Sequence, residues 1–255
     1  MEDQANSGTL TTLETSLEIV DAITELDGAR VTELADDLNL PPSTVHGHLA
    51  TLRKHSYLTK EGDEYHVGLQ FLNRGGYVQT RKKGYELAEE KVDQIAEQTG
   101  ERVQFVVEEQ GRGYYIHTAV GDDAVQADAR IGKRTWLHDS AAGKSILANL
   151  PEERVERILD RWGLPELTEH TIVDREEFYS ELQVVSEQGH AFNREETHDG
   201  LHAAGVPVHT PSGEVLGAFS ISGPRSRLKG DWFEHELPDL LKGKINELEL
   251  NLSYL

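Results

Sequence analysis

Cysteine is absent from the 255 residues, and methionine occurs once. Without thiols there is no disulfide, no thiolate metal site and no cysteine nucleophile. Basic residues are scarce: 25 Lys and Arg stand against 46 Asp and Glu, a formal net charge of −21. Such an excess repels a polyanion at long range and argues against nucleic acid as a default partner. Long apolar runs are missing too. No stretch approaches the ~18 residues of a membrane span, and the opening MEDQANSGTL is acidic and polar rather than basic then apolar. A cytoplasmic protein with no membrane partner is expected. Its length allows one large domain or two modest ones.

The charge is unevenly placed. Residues 1–40 carry ten acids and one Arg, whereas 41–60, PPSTVHGHLATLRKHSYLTK, carries no acid at all. Arg53, Lys54 and Lys60, followed by Arg74, Arg81, Lys82 and Lys83, form a basic island in an acidic chain. Two prolines ahead of Ser43 and Thr44 read as a helix start, through proline's fixed φ or a serine N-cap. At 100° per residue Val45, Leu49 and Leu52 fall on one side. Ser43, Gly47, Ala50, Thr51 and Lys54 fall on the other. A small, polar, weakly basic face suits a helix lying in the major groove of DNA. Taken alone, the stretch fits an ordinary surface helix equally well. High Asp and Glu with few Lys and no Cys is similar to the composition of halophilic proteins, in which salt screens self-repulsion.

Around that stretch the pattern predicts a helix over 11–26, with Leu13, Leu17, Val20 and Ile23 at helical spacing, and a short helix over 33–38 capped by Thr32. Tight turning at 39–41 then makes a helix-turn-helix. Alternating stretches at 57–60 and 64–67 about Glu61-Gly62-Asp63 predict a hairpin wing. Residues 9–68 are expected to form this winged unit, with a linker over 69–83 containing Gly75-Gly76. Residues 84–255 would form a second domain. There an amphipathic helix over 84–99 precedes predicted strands at 103–108, 113–120 and 125–131. Helices at 140–150, 152–161 and 175–188 follow, then strands at 190–194, 202–210 and 215–222 and a last helix over 236–252. Strands and helices without a strict βαβ repeat imply an α+β class.

In order, VTELADDLNLPPSTVHGHLATLRKHSYL, EYHVGLQFLNRG, WLHDSAAGKSILANLP, GHAFNREETHDGLHAAGVPV and GEVLGAFSISGP resemble the successive landmarks of IclR-type transcription regulators. The resemblance spans about Leu13 to Gly223. It implies an N-terminal winged helix-turn-helix, a linker helix and a C-terminal GAF-like antiparallel sheet flanked by helices. It also implies a homodimer or tetramer on an inverted-repeat operator in double-stranded DNA. IclR-type recognition helices commonly carry Arg where this chain has Gly47. Base reading then falls on Ser43, Thr44, His46, His48 and Thr51 around Gly47, with Arg53, Lys54 and Lys60 on phosphates.

Gly143-Lys144-Ser145 ends like a phosphate-binding loop, but His138 stands where that loop needs its first glycine. His138, Asp139 and Ser140 are adjacent and diverge, so they make no hydrolase triad, and no GxSxG elbow is present. His198 and His202 have the spacing of a helical metal pair, yet Asp199-Gly200 between them predicts a turn. Neither metal nor cofactor is expected. A small-molecule pocket is the stronger reading. The start at Ser140 to Gly143 offers backbone N–H groups and small side chains, and Ser220 and Ser222 share a face, as do Leu201 and Ala203. The resemblance implies Ala141, Ala142, Asn193, Leu201, Ala203, Ser220 and Ser222 as effector-binding positions, for a small organic acid or sugar-derived effector. Asn193 stands where relatives can carry Asp, and Ala203 where Cys is frequent, which changes polarity and volume. Two alternatives remain open: the serines as plain sheet-surface residues, and a small-molecule enzyme that keeps a helix-turn-helix as an interaction module.

Overall fold

In the computed structural model, which describes residues 8–122, 124 and 130–254, the chain divides into two units between Val78 and Gln79. The first holds α1 (Thr11–Glu25), α2 (Val31–Asp37), α3 (Pro42–Lys54) and the antiparallel pair β1 (Leu58–Glu61) and β2 (Glu64–Val67). Helix α2 starts ahead of Thr32 because Glu33 Oε2 reaches back to accept from the Arg30 N–H at 2.7 Å. Asn39 takes a positive φ of 51°, turning the chain so that Pro42 can open α3 with its φ already set. Ile19, Ile23, Leu34, Val45, Leu49, Leu58 and Tyr65 form the core. Reciprocal backbone hydrogen bonds between Ala29 and Tyr65 fasten the wing to it. Leu13 and Leu17 point outward, 58% and 56% exposed, because Ile19, Ala22 and Ile23 supply the buried stripe of α1.

Helix α4 (Gln70–Thr80) carries the boundary and buries none of its residues. In the second unit the strands β3 (Arg102–Glu109), β4 (Arg112–Val120), β5 (Arg134–Thr135), β6 (Ala191–Arg194), β7 (Leu201–His209) and β8 (Val215–Pro224) pair antiparallel in the order β5-β4-β3-β8-β7-β6. Period-two alternation divides its faces. Val103, Phe105, Val206, Phe219 and Ile221 meet α5 (Lys83–Thr99) and α9 (Leu237–Ser253) on one face. Val106 and Ala218 meet α6 (Ala141–Leu147), α7 (Glu152–Trp162) and α8 (Arg175–Gln188) on the other. A π turn, Trp232–Glu236, leads into α9. The strand predicted at 125–131 lies mostly outside the described residues, and Ile131 itself sits in a turn. Among the described residues no helix is long and apolar enough to cross a membrane.

Candidate functional site

A cavity of about 310 Å³ lies on the α6 side of the sheet. Its floor is one row of cross-strand partners, Arg102 with Ser222, Ser222 with Ala203 and Ala203 with Asn193. The next row pairs Gln104 with Ser220 and Ser220 with Gly205. Small residues on β7 and β8 leave the hollow, and longer side chains on β3 and β6 wall it. Ala141, Ala142, Asn193, Leu201, Ala203, Ser220 and Ser222 all line this single cavity.

Helix α6 sits over the floor because two glycines let backbone meet backbone. A Cβ on Gly205 would lie 2.5 Å from the Ala141 carbonyl, and one on Gly143 would lie 2.2 Å from the Leu137 carbonyl oxygen. Ser145 Oγ donates to the Gly205 carbonyl at 2.9 Å, and Ser140 Oγ caps the helix by accepting from Gly143 N–H at 3.2 Å. The phosphate-loop resemblance of Gly143-Lys144-Ser145 therefore has another cause. Gly143 makes room, Lys144 is buried in ion pairs with Glu196 and Glu181, and Ser145 pins the helix to β7. His138 Nε2 meets the Pro165 carbonyl and Ser140 Oγ donates to the Trp136 carbonyl, so the two never face each other as in a triad.

Further lining residues went unread in the sequence: Arg102, Gln104, Tyr115, Lys133, Thr135, Thr197 and His198. Arg102 and Gln104 had a signal, since they alternate with the apolar Val103 and Phe105, but the predicted strand began one residue too late to include Arg102. Lys133 and Thr135 carry no periodicity, because β5 is two residues long. Asn193 lines the cavity but commits its amide to the following loop. Its Nδ2 donates to Thr197 Oγ1 at 2.5 Å and its Oδ1 accepts from Glu196 N–H at 2.9 Å. Behind that loop, burial raises the Glu196 carboxyl against the opposing pull of Lys144. Burial likewise pushes Asp139 up to about 7, with Glu196 nearby adding to the rise. Neither Asp139 carboxyl oxygen has a hydrogen-bond partner of good geometry among the described residues.

On α3, Ser43, Thr44, His46, Gly47, Thr51, Arg53 and Lys54 are exposed, and so is Lys60 on β1. Val45 and Leu49 are fully buried, which orients the small polar face outward. His48 is half-buried, and its Nδ1 lies 2.7 Å from Ser16 Oγ on α1. By helical spacing it flanks the buried stripe, so it braces α1 against α3. Lys60 Nζ lies over the Tyr65 ring, 5.3 Å from its centroid. The two histidines with metal-pair spacing part company: His198 lines the cavity and His202 meets the Leu228 carbonyl, while His209 lies between Glu249 and Asn149. Among the described residues no cluster of three or more His, Asp or Glu side chains is placed to hold a metal ion.

Comparison with known proteins bears on both units. The profile described as "IclR helix-turn-helix domain" matches residues 12–62, and "Bacterial transcriptional regulator IclR C-terminal" matches residues 80–244. The "Probable HTH-type transcriptional regulator ArcR" of Halobacterium salinarum is 32% identical over 257 residues, covering 98% of each chain. The Thermotoga maritima IclR crystal structure superposes with a TM-score of 0.80 at 27% identity, covering 96% of this chain and 99% of that one. A third match is the inducer-binding domain of the Acinetobacter PobR transcription factor, a double mutant solved in complex with 3-hydroxy benzoic acid. It shares the fold of the second unit at a TM-score of 0.60 and 24% identity, over 64% of this chain and 96% of that one. With both units matched in order and a relative aligned almost end to end, the chain belongs to the IclR family of DNA-binding transcription regulators with an effector-binding C-terminal domain, not to the enzymes.

Proposed function

We propose that the cavity binds a small organic acid or sugar-derived effector through Ala141, Ala142, Asn193, Leu201, Ala203, Ser220 and Ser222, and that occupancy changes operator binding by α3. One observation carries this reading: positions scattered over some 80 residues of sequence converge on one cavity, in the domain matched by the IclR C-terminal profile. The PobR domain, which shares this fold, was solved with an aromatic acid bound. On the DNA side, Ser43, Thr44, His46, His48 and Thr51 around Gly47 read bases, while Arg53, Lys54 and Lys60 hold phosphates. The domain limits proposed are 9–68, 69–83 and 84–255. A homodimer or tetramer on an inverted repeat fits the exposed Leu10 just before α1, Leu13 and Leu17 on it, and the exposed Leu69, Leu72 and Tyr77 at α4, apolar groups that association would cover. Coupling follows if the effector favours one spacing of paired recognition helices over another. We place the protein in a salt-rich cytoplasm on its acidic composition.

Footprinting on the DNA upstream of its own coding sequence, at matched salt, tests the regulator. Absence of any protected inverted repeat would sink the operator proposal. Ser220→Ala with Ser222→Ala should abolish the effector response while DNA binding without ligand persists. Loss of both together would mean misfolding.

A further inference from the structure

We propose that the hollow between α7 and the β3–β4 turn is a second ligand site, in which Arg157 and Arg161 grip a phosphoryl group, free or esterified. It shares no residue with the cavity under α6 and does not depend on what that cavity binds.

Helix α7 segregates its charges. Glu152, Glu156 and Asp160, each one turn from the next, face α8, where all three act on Tyr179 and Asp160 accepts from Arg175 at 2.7 Å. Arg154, Arg157 and Arg161 follow the other edge and line a hollow of about 210 Å³ with Glu108, Gln110 and Trp162. Arg154 is neutralised there by its ion pair with Glu108, whose other oxygen accepts the Gly111 N–H at 2.7 Å. Arg157 gives its Nε–H to the Glu153 carbonyl at 3.2 Å, and Arg161 lies over the Trp162 ring, 4.9 Å from its centroid. Neither guanidinium has a carboxylate partner among the described residues, in a chain with 46 acids. Like charges one turn apart repel, so folding gains nothing from placing these two together. The helix dipole favours a cation at Arg161, in the last turn, but gives no reason for Arg157 beside it.

The floor of the hollow is built. Trp162 Nε1 donates to the Gln110 carbonyl at 2.9 Å, and the ring packs so closely on the turn that a Cβ on Gly111 would lie 2.6 Å from that nitrogen. Gln110 holds a positive φ of 55°, uncommon outside glycine. Behind the floor Arg112 adds a further positive charge, its guanidinium 5.3 Å from the Trp162 ring centroid. Two unpaired guanidiniums match the two negative charges of a phosphate monoester, and its three terminal oxygens accept more of their forked N–H donors than the two of a carboxylate. A larger hollow of about 650 Å³ shares Glu108, Arg154 and Arg157 and adds Asn149, Leu150 and Lys82, which gives room for the rest of an esterified molecule.

The test titrates the full chain by calorimetry with inorganic phosphate, glycerol 3-phosphate and acetate, at about pH 8, where the phosphate monoester is a dianion, and at one ionic strength set with KCl. At least one of the two phosphates should bind about ten or more times tighter than acetate. Arg157→Gln with Arg161→Gln should weaken phosphate at least about tenfold, and Arg157→Lys with Arg161→Lys should keep part of the affinity, since the charge stays and the fork goes. Both positions are exposed, and melting curves confirm that the variants fold. If the double glutamine variant does not fold, Arg157→Gln alone serves, and it should weaken phosphate severalfold. Glycerol 3-phosphate bound tighter than inorganic phosphate supports the site with an esterified ligand, and the reverse or equality supports it with free phosphate. Ser220→Ala with Ser222→Ala should leave phosphate binding unchanged. Phosphate that binds no tighter than acetate, or as tightly without both arginines, overturns the inference. Loss of binding in the serine variant alone places the anion in the cavity under α6 and overturns it as well.

Discussion

Lys144 Nζ lies 2.7 and 2.9 Å from the two carboxylate oxygens of Glu196, and 2.9 Å from Glu181 Oε1, with the lysine 1% exposed. From Glu196 the contacts continue outward. Its N–H donates to Asn193, Asn193 donates to Thr197, and Thr197 Oγ1 donates to the Asp139 carbonyl at 2.9 Å. One buried cation thus fixes the loop that walls the cavity. Lys144→Met should lower unfolding free energy by about 3–5 kcal/mol, because it strands Glu196 without a counter-charge. Adding Glu196→Gln should recover a large part of the loss. Urea titrations of the three proteins check this, and a single variant as stable as the parent would refute it.

Asp139 predicts an inverted pH dependence. Its folded value of about 7 lies above the ~4 of an unfolded aspartate. Below pH ~4 both states hold the proton and nothing is contributed. Between ~4 and about 7 the folded state retains a proton that the unfolded chain has released, so stability falls as pH rises, and above that the penalty is complete. Asp139→Asn should therefore stabilise the protein at pH 8 by roughly 1–4 kcal/mol, and the gain should fade towards pH 4. Melting curves of both proteins across that range decide it.

At Gly205 a methyl group has nowhere to go, since its Cβ would lie 2.5 Å from backbone atoms that no rotamer change can move. Gly205→Ala should cost about 2–3 kcal/mol and displace α6 from β7. Thermal unfolding measures the first effect, and a changed effector response at a temperature where the variant is still folded measures the second.

Gly47 is the opposite case, because a Cβ there meets nothing within 4 Å. Gly47→Arg should fold normally and gain about 1–3 kcal/mol for operators with a guanine under that position. A base contact leaves the salt slope nearly unchanged, whereas a phosphate contact would steepen it by about 1. The parent protein should show a shallow slope, and one as steep as that of ~8 phosphate contacts would contradict the assignment of Arg53, Lys54 and Lys60. Binding isotherms at several salt concentrations separate these cases.

Stability itself should rise with salt if the acidic surface is adapted to it. A melting temperature unchanged between low salt and ~2 M KCl would count against the halophilic reading.

Much of the fold was legible because period and punctuation agree in it. Pro41-Pro42, the Gly62 turn and the alternation of Val103 and Phe105 each have one sensible structural outcome. The cavity was half legible. Ser220, Ser222, Leu201 and Ala203 could be placed together by parity within a strand and by family resemblance. Arg102 joined them only through cross-strand register, which depends on long-range pairing that no local pattern contains. For the same reason the outward turn of Leu13 and Leu17 was hidden, since periodicity identifies an apolar stripe without saying whether it faces this chain or another. The contact of His48 Nδ1 with Ser16 Oγ on α1, at 2.7 Å, was hidden for the same reason.

The glycine contact between α6 and β7 has a mechanical meaning. Where side chains separate two elements, a small displacement of one is absorbed by rotamer adjustment and dies out within a layer. Here the Gly205 backbone bears directly on that of Ala141 and Ala142, and Ser145 ties the same two elements together. A joint without soft padding has no slack. A ligand that moved the start of α6 would move the middle of β7 with it, and through β7 its neighbours β6 and β8.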